Sequence, residues 1–159
     1  MQEAMRDLSS CFRGRFSDAE GTGVKGMEKV KVLLVDDEQE FITALSERLQ
    51  IRGIDVRLAF DGEQGLRLVQ DQQPDIMVLD LKMPGIDGME VLRRVVRSHP
   101  GIRVVMLTGH GSEKDRQEAM RTGAYAYLQK PVQLDQLMEV IRRPGSPREK
   151  ERFGQPRVF

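Results

Sequence analysis

The chain has 159 residues, 39% of them hydrophobic and 31% charged, and its formal net charge is +0 at pH 7. This composition is typical of a globular domain, and the neutral balance gives no support for binding to nucleic acid or to membrane surfaces. The single cysteine, Cys11, cannot form an internal disulfide, and no apolar stretch approaches the roughly 20 residues of a membrane-spanning helix. We therefore expect a cytoplasmic protein without membrane insertion.

The two ends of the chain differ from its middle. Residues 1–28 show no sustained hydrophobic period, and residues 144–159 are charged and interrupted by proline and glycine. We predict a flexible N-terminal extension, one domain over residues 29–143 and a flexible C-terminal tail. GTGVKG at positions 21–26 has the glycine spacing of a dinucleotide-binding loop, but it precedes the first predicted strand instead of following one, so we interpret it as a linker.

From Val30 onward, apolar runs rich in β-branched residues alternate with helical patterns. In chain order the runs are VKVLLV, IDVRLAF, DIMVLD, IRVVMLT and AYAYLQ. Five strands alternating with five helices predict an α/β domain of (βα)5 organisation, with helices on both faces of a parallel sheet.

Two of the predicted helices begin with a recognisable capping pattern. Asp61 is followed by Gln64 at the second helix, and Asp87 is followed by Glu90 at the third. Both pairs resemble a capping box, in which the two side chains bond reciprocally to backbone N–H groups. We therefore expect both helices to start at these positions.

The fourth predicted helix, within GSEKDRQEAMRTG, is polar almost all round. Ala119 and Met120 are its only expected core contacts. A helix with so narrow an apolar stripe gains little from packing, so two interpretations stay open: a mobile face that meets a partner, or an ordinary solvated helix.

Four of the five predicted strands end in a reactive side chain. Asp36 and Asp37 follow VLLV, Asp80 follows IMVL, Thr108 follows VVML, and Lys130 follows YAYLQ. In parallel α/β sheets, ligands bind beyond the carboxyl ends of the strands, so these side chains should meet at one edge. Taken singly, each has an ordinary explanation, such as an acid at a helix N-terminus or a solvated lysine. Together they favour a functional site.

The residue types at this edge suit phosphoryl transfer. Carboxylates crowded together require a cation, and Mg²⁺ prefers oxygen ligands and completes its shell with water and phosphate. Lys130 adds a point charge and Thr108 a hydroxyl donor. Catalysis of phosphoryl transfer is mostly positioning and charge neutralisation. Asp80, placed between the other groups, is the expected nucleophile and would form an aspartyl phosphate.

The motifs LLVDDE, DIMVLDLKMPGIDG, VVMLTGHG and GAYAYLQKP closely resemble the receiver domain of two-component response regulators. The resemblance covers about residues 29–143, in the family's order and spacing. It implies a single doubly wound, flavodoxin-like domain whose five parallel strands have the order 2-1-3-4-5.

The resemblance also implies roles for residues of the metal site. Asp80 corresponds to the phosphoacceptor of the family. Asp37 and Asp80 correspond to direct Mg²⁺ ligands, and Asp36 to a residue that acts through a metal-bound water. The backbone carbonyl of Lys82 corresponds to a further ligand.

Three more residues correspond to the family's switch. Thr108 matches the switch hydroxyl and Lys130 the phosphate-binding lysine, followed by a cis bond to Pro131. Tyr127 falls where the family has an aromatic switch residue, which is expected to turn inward once Thr108 has moved toward the phosphoryl group.

The resemblance further implies partners. A histidine kinase or a histidine phosphotransfer protein would supply the phosphoryl group, and a downstream protein would respond. The domain would catalyse only its own phosphorylation and dephosphorylation. It would not bind nucleic acid directly, and a phosphorylation-dependent homodimer stays open, although the early end of the last helix at Pro144 argues against dimerisation through that helix.

Two alternative functions fit the sequence less well. A degenerate receiver would act as a phosphorylation-independent binding module, but it should lack the acceptor or an acidic partner. A phosphatase of the haloacid dehalogenase type requires a general acid two residues after its nucleophile, and Lys82 at that position cannot serve as one.

Lys82 and His110 each lie two residues after a proposed site residue. We hypothesise that their bulk and charge tune the access of water to the phosphoryl group. The alternative is that both are ordinary solvent-facing side chains.

Overall fold

The computed structural model describes residues 29–143, so the predictions for residues 1–28 and 144–159 lie outside the described part of the chain. Strands and helices alternate throughout. The strands are β1 (Lys31–Val35), β2 (Asp55–Ala59), β3 (Ile76–Leu79), β4 (Arg103–Thr108) and β5 (Ala126–Gln129). The helices are α1 (Gln39–Ile51), α2 (Gly62–Asp71), α3 (Gly88–Ser98), α4 (Glu113–Thr122) and α5 (Leu134–Arg142).

The strands form one sheet of order β2-β1-β3-β4-β5, and every neighbouring pair is parallel. Alternate residues of the central strand β1 enter two hydrophobic clusters. Leu33 and Val35 pack in the cluster that contains residues of α2, α3 and α4, while Val32 and Leu34 pack with residues of α1 and α5. Both the (βα)5 class and the predicted strand order are confirmed.

The strand ends are held at a common level by backbone hydrogen bonds that continue the ladders. The N–H of Asp80 donates to the carbonyl of Val35 at 3.0 Å, and the N–H of Lys130 donates to the carbonyl of Thr108 at 3.0 Å. These bonds fix the residues that follow the strands, which are the residues expected to carry the chemistry.

Gly88 allows the start of α3 to lie directly against the backbone of Asp80. A Cβ atom at this position would be 2.1 Å from the Asp80 carbonyl oxygen. The N–H of Gly88 donates to the carbonyl of Leu81 at 2.8 Å. A larger residue would therefore displace either α3 or the backbone that carries Asp80.

The predicted capping boxes are only half right. Asp61 and Asp87 do accept hydrogen bonds from the N–H groups of Gln64 and Glu90, at 2.8 and 3.0 Å. The reciprocal bonds are missing, because Gln64 accepts from the N–H of Phe60 and the Glu90 carboxylate binds two arginines of α3. Sequence alone could not rank these competing partners.

A complete capping box starts α4 instead. The Ser112 hydroxyl accepts from the Asp115 N–H, and the Asp115 carboxylate accepts from the Ser112 N–H. As predicted, Ala119 and Met120 are the buried residues of this helix. None of the helices within residues 29–143 is both long and apolar enough to cross a membrane.

Candidate functional site

Three carboxylates meet at the carboxyl edge of the sheet, as the sequence predicts. Asp36 and Asp37 follow β1, and Asp80 follows β3. One oxygen from each lies within 4.8 Å of the others. Asp36 and Asp80 are buried, with 3% and 4% exposure, whereas Asp37 is exposed. The cluster therefore has two buried members and one that faces solvent.

The ammonium group of Lys130 lies beside this cluster. It donates to Asp36 Oδ2 at 2.6 Å and lies 3.9 Å from Asp80 Oδ2. Its third carboxylate neighbour is Glu38, whose Oε1 accepts at 2.8 Å. The predicted lysine is thus at the site, but it bonds most closely to Asp36 and Glu38.

Glu38 and Phe41 also belong to the site, although neither was predicted from the sequence. Glu38 is the third consecutive acid after β1, and this position at the strand end is the sequence feature that could have identified it as a site residue. The Phe41 ring centroid lies 4.5 Å from the Lys130 ammonium nitrogen, at cation–π distance. In the sequence Phe41 shows only the spacing of a helix position that faces the core.

Burial and charge act against each other at this site. Burial raises the pKa of the Asp36 carboxyl, and the hydrogen bond from Lys130 opposes this shift without cancelling it. Burial disfavours the charged form of Lys130, but hydrogen bonds to Asp36 and Glu38 outweigh it and raise the pKa of Lys130. The same ammonium lowers the pKa of Glu38. Lys130 is therefore a stable cation at neutral pH.

Asp80 and Thr108 are each engaged by one backbone group. Asp80 Oδ1 accepts a hydrogen bond from the Leu81 N–H at 2.8 Å. The Thr108 hydroxyl is fully buried, and its oxygen accepts from the His110 N–H at 3.2 Å. Asp80 Oδ2 lies 3.9 Å from the Lys130 ammonium, and within the described residues the Thr108 hydroxyl donates no hydrogen bond.

Tyr127 is buried, with 4% exposure, and its role as a switch residue stays a prediction. Burial raises its pKa, and the negative charge of Asp115 acts in the same direction. Its hydroxyl has no hydrogen-bond partner within residues 29–143. The hydroxyl occupies the space in front of Gly111, where a Cβ atom would be 1.7 Å away.

Lys82 and His110 both have exposed side chains. Hydrogen bonds from Ser112 lower the pKa of Asp115 at the start of α4, and the positive charge of Lys82 acts in the same direction. The role of the Lys82 backbone carbonyl as a ligand stays a prediction.

Comparison with known proteins gives one consistent family. The family described as "Response regulator receiver domain" matches residues 32–142. The C4-dicarboxylate transport transcriptional regulatory protein DctD of Pseudomonas aeruginosa is 37% identical over 115 residues, covering 72% of this chain and 25% of that protein. The sporulation initiation phosphotransferase F of Bacillus subtilis is 32% identical over 117 residues, covering 74% of this chain and 94% of that protein.

The solved structures agree with this family. The crystal structure of a CheY-like response regulator receiver domain protein from Methanospirillum hungatei JF-1 superimposes with a TM-score of 0.71 at 28% identity, covering 80% of this chain and 100% of that one. Several curated relatives are longer, and the chain spans between 25% and 52% of their length. The likeness to these longer proteins is therefore to one part of them.

Proposed function

The chain belongs to the response regulator receiver domain family, and from that premise we propose that it is a phosphoacceptor in a two-component or phosphorelay system. Receiver domains are signalling domains and not enzymes that act on an external substrate. In this proposal Asp80 takes a phosphoryl group from a phosphohistidine, and the domain then switches conformation to control a partner.

One observation carries the proposal: the surroundings of Asp80. This carboxylate is 4% exposed at the end of a central strand, with an oxygen within 4.8 Å of oxygens from Asp36 and Asp37. The Lys130 ammonium lies 3.9 Å from Asp80 Oδ2. A buried carboxylate between an acidic cluster and a cation is suited to accept a charged group together with a divalent ion.

The acidic cluster fits Mg²⁺, because it offers hard oxygen donors of which one faces solvent. We propose that Asp37 and Asp80 bind the ion directly and that Asp36 acts through a bound water. The Lys82 backbone carbonyl would be a further ligand. When bound there, Mg²⁺ would neutralise negative charge on the carboxylates and on the phosphoryl oxygens.

Asp80 Oδ2 is the proposed nucleophile, because Oδ1 accepts from the Leu81 N–H while Oδ2 faces Lys130. A phosphorus–oxygen bond to Asp80 forms as the phosphorus–nitrogen bond of phosphohistidine breaks, and the electron pair of that bond returns to the imidazole. Lys130 then pairs with a phosphoryl oxygen. Hydrolysis by water later restores the Asp80 carboxylate and releases inorganic phosphate.

The switch would use the buried pair Thr108 and Tyr127. The Thr108 hydroxyl keeps a free proton, so it can donate to an acceptor oxygen of the phosphoryl group. This movement would change the space beside Tyr127 and stabilise the inward position of its ring. The charge event at Asp80 would in this way bias a two-state element.

The proposed partners are a histidine kinase or histidine phosphotransfer protein as donor and a downstream protein as target. A homodimer that forms on phosphorylation stays open. Light scattering with and without phosphorylation would test it: a doubled mass that requires Asp80 would establish the dimer, and an unchanged mass would exclude it.

The deciding experiment is intact-mass analysis after incubation with acetyl phosphate, with and without Mg²⁺. We expect one phosphoryl adduct that depends on Mg²⁺ and is lost in Asp80→Asn. Asp75→Asn is a matched control, because Asp75 precedes the same strand at its opposite end and is exposed. It should be phosphorylated like the wild type.

Two other results of this experiment would contradict the proposal. Folded wild-type protein that binds Mg²⁺ but gains no phosphoryl group would contradict the proposal and favour a phosphorylation-independent binding module. An adduct that persists in Asp80→Asn would show that another side chain is the acceptor.

Lys82 and His110 are proposed to set the lifetime of the phosphorylated form. Both are exposed, and they follow Asp80 and Thr108 by two residues, so their bulk and charge can affect the access of attacking water to the phosphoryl group. Replacing both by alanine should change the dephosphorylation rate, measured by phosphate release. An unchanged rate would identify them as ordinary surface residues.

A further inference from the structure

The Lys130 ammonium is bonded to groups other than the proposed phosphoacceptor. It donates to Asp36 at 2.6 Å and to Glu38 at 2.8 Å, whereas Asp80 lies 3.9 Å away, beyond hydrogen-bonding distance. An ammonium has three donors, so two of the three are engaged by these carboxylates. The arrangement directs Lys130 toward the start of α1.

Two residues from the start of α1 hold Lys130, and we call them the lysine anchor (Glu38 and Phe41). Glu38 is the N-cap residue of α1, and Phe41 lies three residues later. Because residues three apart lie on one side of a helix, the carboxylate and the ring reach the same ammonium group. The Phe41 ring centroid is 4.5 Å from Lys130 Nζ.

We propose that Glu38 is a positioning residue, which acts through Lys130 to limit the affinity of the site for a phosphoryl group. This inference rests on the proposed function of Asp80. Glu38 competes for the Lys130 ammonium, and its negative charge repels the phosphoryl oxygens. The lysine anchor therefore stabilises the unphosphorylated state relative to the phosphorylated one.

The balance is electrostatic and open to adjustment, because the two carboxylates that hold Lys130 differ in exposure. The Asp36 side chain is 4% exposed and that of Glu38 is 58% exposed. Glu38 is thus partly screened by water and moves at little cost, so its effect should be moderate. The buried Asp36 carboxylate stays at the site, whereas the exposed Glu38 carboxylate can determine how strongly Lys130 is held away from Asp80.

Beryllofluoride, a non-covalent phosphoryl analogue, gives an equilibrium test. Its affinity would be measured by calorimetry at saturating Mg²⁺, which separates the result from any change in metal affinity. We expect Glu38→Gln to bind beryllofluoride about twofold to fivefold more tightly than the wild type, as removal of one partly exposed charge implies. Phe41→Leu should shift affinity in the same direction by less.

Glu40→Gln is the matched control, because Glu40 lies in the first turn of the same helix, is exposed, and forms no ion pair with Lys130. It should bind beryllofluoride like the wild type. The NMR signal of the Lys130 ammonium, recorded without ligand, should shift in Glu38→Gln and not in Glu40→Gln. A purely structural effect of removing a carboxylate from this helix would shift the Lys130 signal in both variants alike.

The outcomes separate this inference from the function on which it rests. Tight binding by the wild type, with equal affinity in Glu38→Gln and Glu40→Gln, would overturn the role of Glu38 and leave Asp80 as the acceptor. Weaker binding by Glu38→Gln at saturating Mg²⁺ would also overturn it. Failure of the folded wild type to bind beryllofluoride would overturn both proposals.

Discussion

Two neighbouring helices on the same face of the sheet are held in different ways. α3 and α4 have similar lengths, 11 and 10 residues. α3 buries Gly88, Met89, Val91, Leu92 and Val95, whereas α4 buries only Ala119 and Met120. Packing against the sheet therefore contributes much more to the stability of α3 than to that of α4.

The order within α4 comes mainly from local contacts. Its capping box joins Ser112 and Asp115, and its first turn has an ion pair between Glu113 and Arg116. Such contacts move with the helix, so α4 can change its position on the sheet without losing them. α3 has no such freedom, because Gly88 is bonded to the backbone that follows Asp80.

This difference matches the proposed switch. Thr108 ends β4, and the segment between β4 and α4 contains Gly111, which lies against the Tyr127 hydroxyl. A movement of Thr108 or Tyr127 therefore acts on the weakly packed helix, while the helix next to Asp80 keeps the acceptor in place. The weak packing of α4 agrees with the interpretation of this helix as mobile.

The largest effect should follow truncation of the α3 core. Leu92 is fully buried, so Leu92→Ala should lower the free energy of unfolding by about 2–5 kcal/mol in urea denaturation. Leu66→Ala, at a partly exposed position of α2, is the control and should cost less. Equal losses would show that α3 burial does not dominate the stability of this face.

Hydrogen exchange should then separate the two helices directly. We expect backbone amides of α4 to exchange at least about tenfold faster than those of α3, because opening α4 exposes little apolar surface. Mass spectrometry of peptides from each helix would measure this. Equal protection of α4 and α3 would contradict the inference that α4 is the mobile helix.

The features that the sequence predicted correctly are those that several residues indicate together. The five strands, the strand order implied by the family resemblance, and the meeting of Asp36, Asp37 and Asp80 are all found in the structure. The strands and the carboxylate cluster depend on the periodicity of apolar residues and on which residue follows each strand, whereas the strand order was implied by the family resemblance alone. The apolar periodicity and the residue that follows each strand can both be read from the amino-acid sequence.

What the sequence did not predict depends on choices among competing polar partners. Gln64 and Glu90 each had a plausible backbone donor at the helix start, yet they bond elsewhere. Lys130 was predicted as the phosphate-binding lysine, and its contacts with Glu38 and Phe41 were not predicted. Such contacts differ by small free energies, so only the three-dimensional arrangement decides them.

The capping box of α4 should contribute a moderate, pH-dependent stabilisation. Ser112→Ala should lower the free energy of unfolding by about 1 kcal/mol at neutral pH, the usual cost of losing an N-cap. Ser98→Ala is the control, because that exposed hydroxyl donates to a carbonyl near the end of α3. It should have a smaller effect.

The difference in the free energy of unfolding between the wild type and Ser112→Ala should depend on pH. Hydrogen bonds from the Ser112 N–H and hydroxyl lower the pKa of Asp115 in the folded state. The stabilisation from the Asp115 carboxylate is fully present above its unfolded-state pKa of about 3.9. It is lost as the pH falls through the lower pKa of Asp115 in the folded state. The gap between wild type and Ser112→Ala should therefore narrow below about pH 4. A gap independent of pH would exclude Asp115 from the cap.

The smallest expected effect concerns the ion pair that joins the two helices, Arg93 with Glu118 at 3.2 Å. Their side chains are 43% and 41% exposed, and Arg93 is shared with Glu90 of its own helix. A double-mutant cycle with Arg93→Ala and Glu118→Ala should give a coupling free energy of about 0–1 kcal/mol that decreases with added salt. A larger, salt-independent coupling would mean that α4 is fastened to α3, which would remove the physical basis for treating α4 as the movable helix.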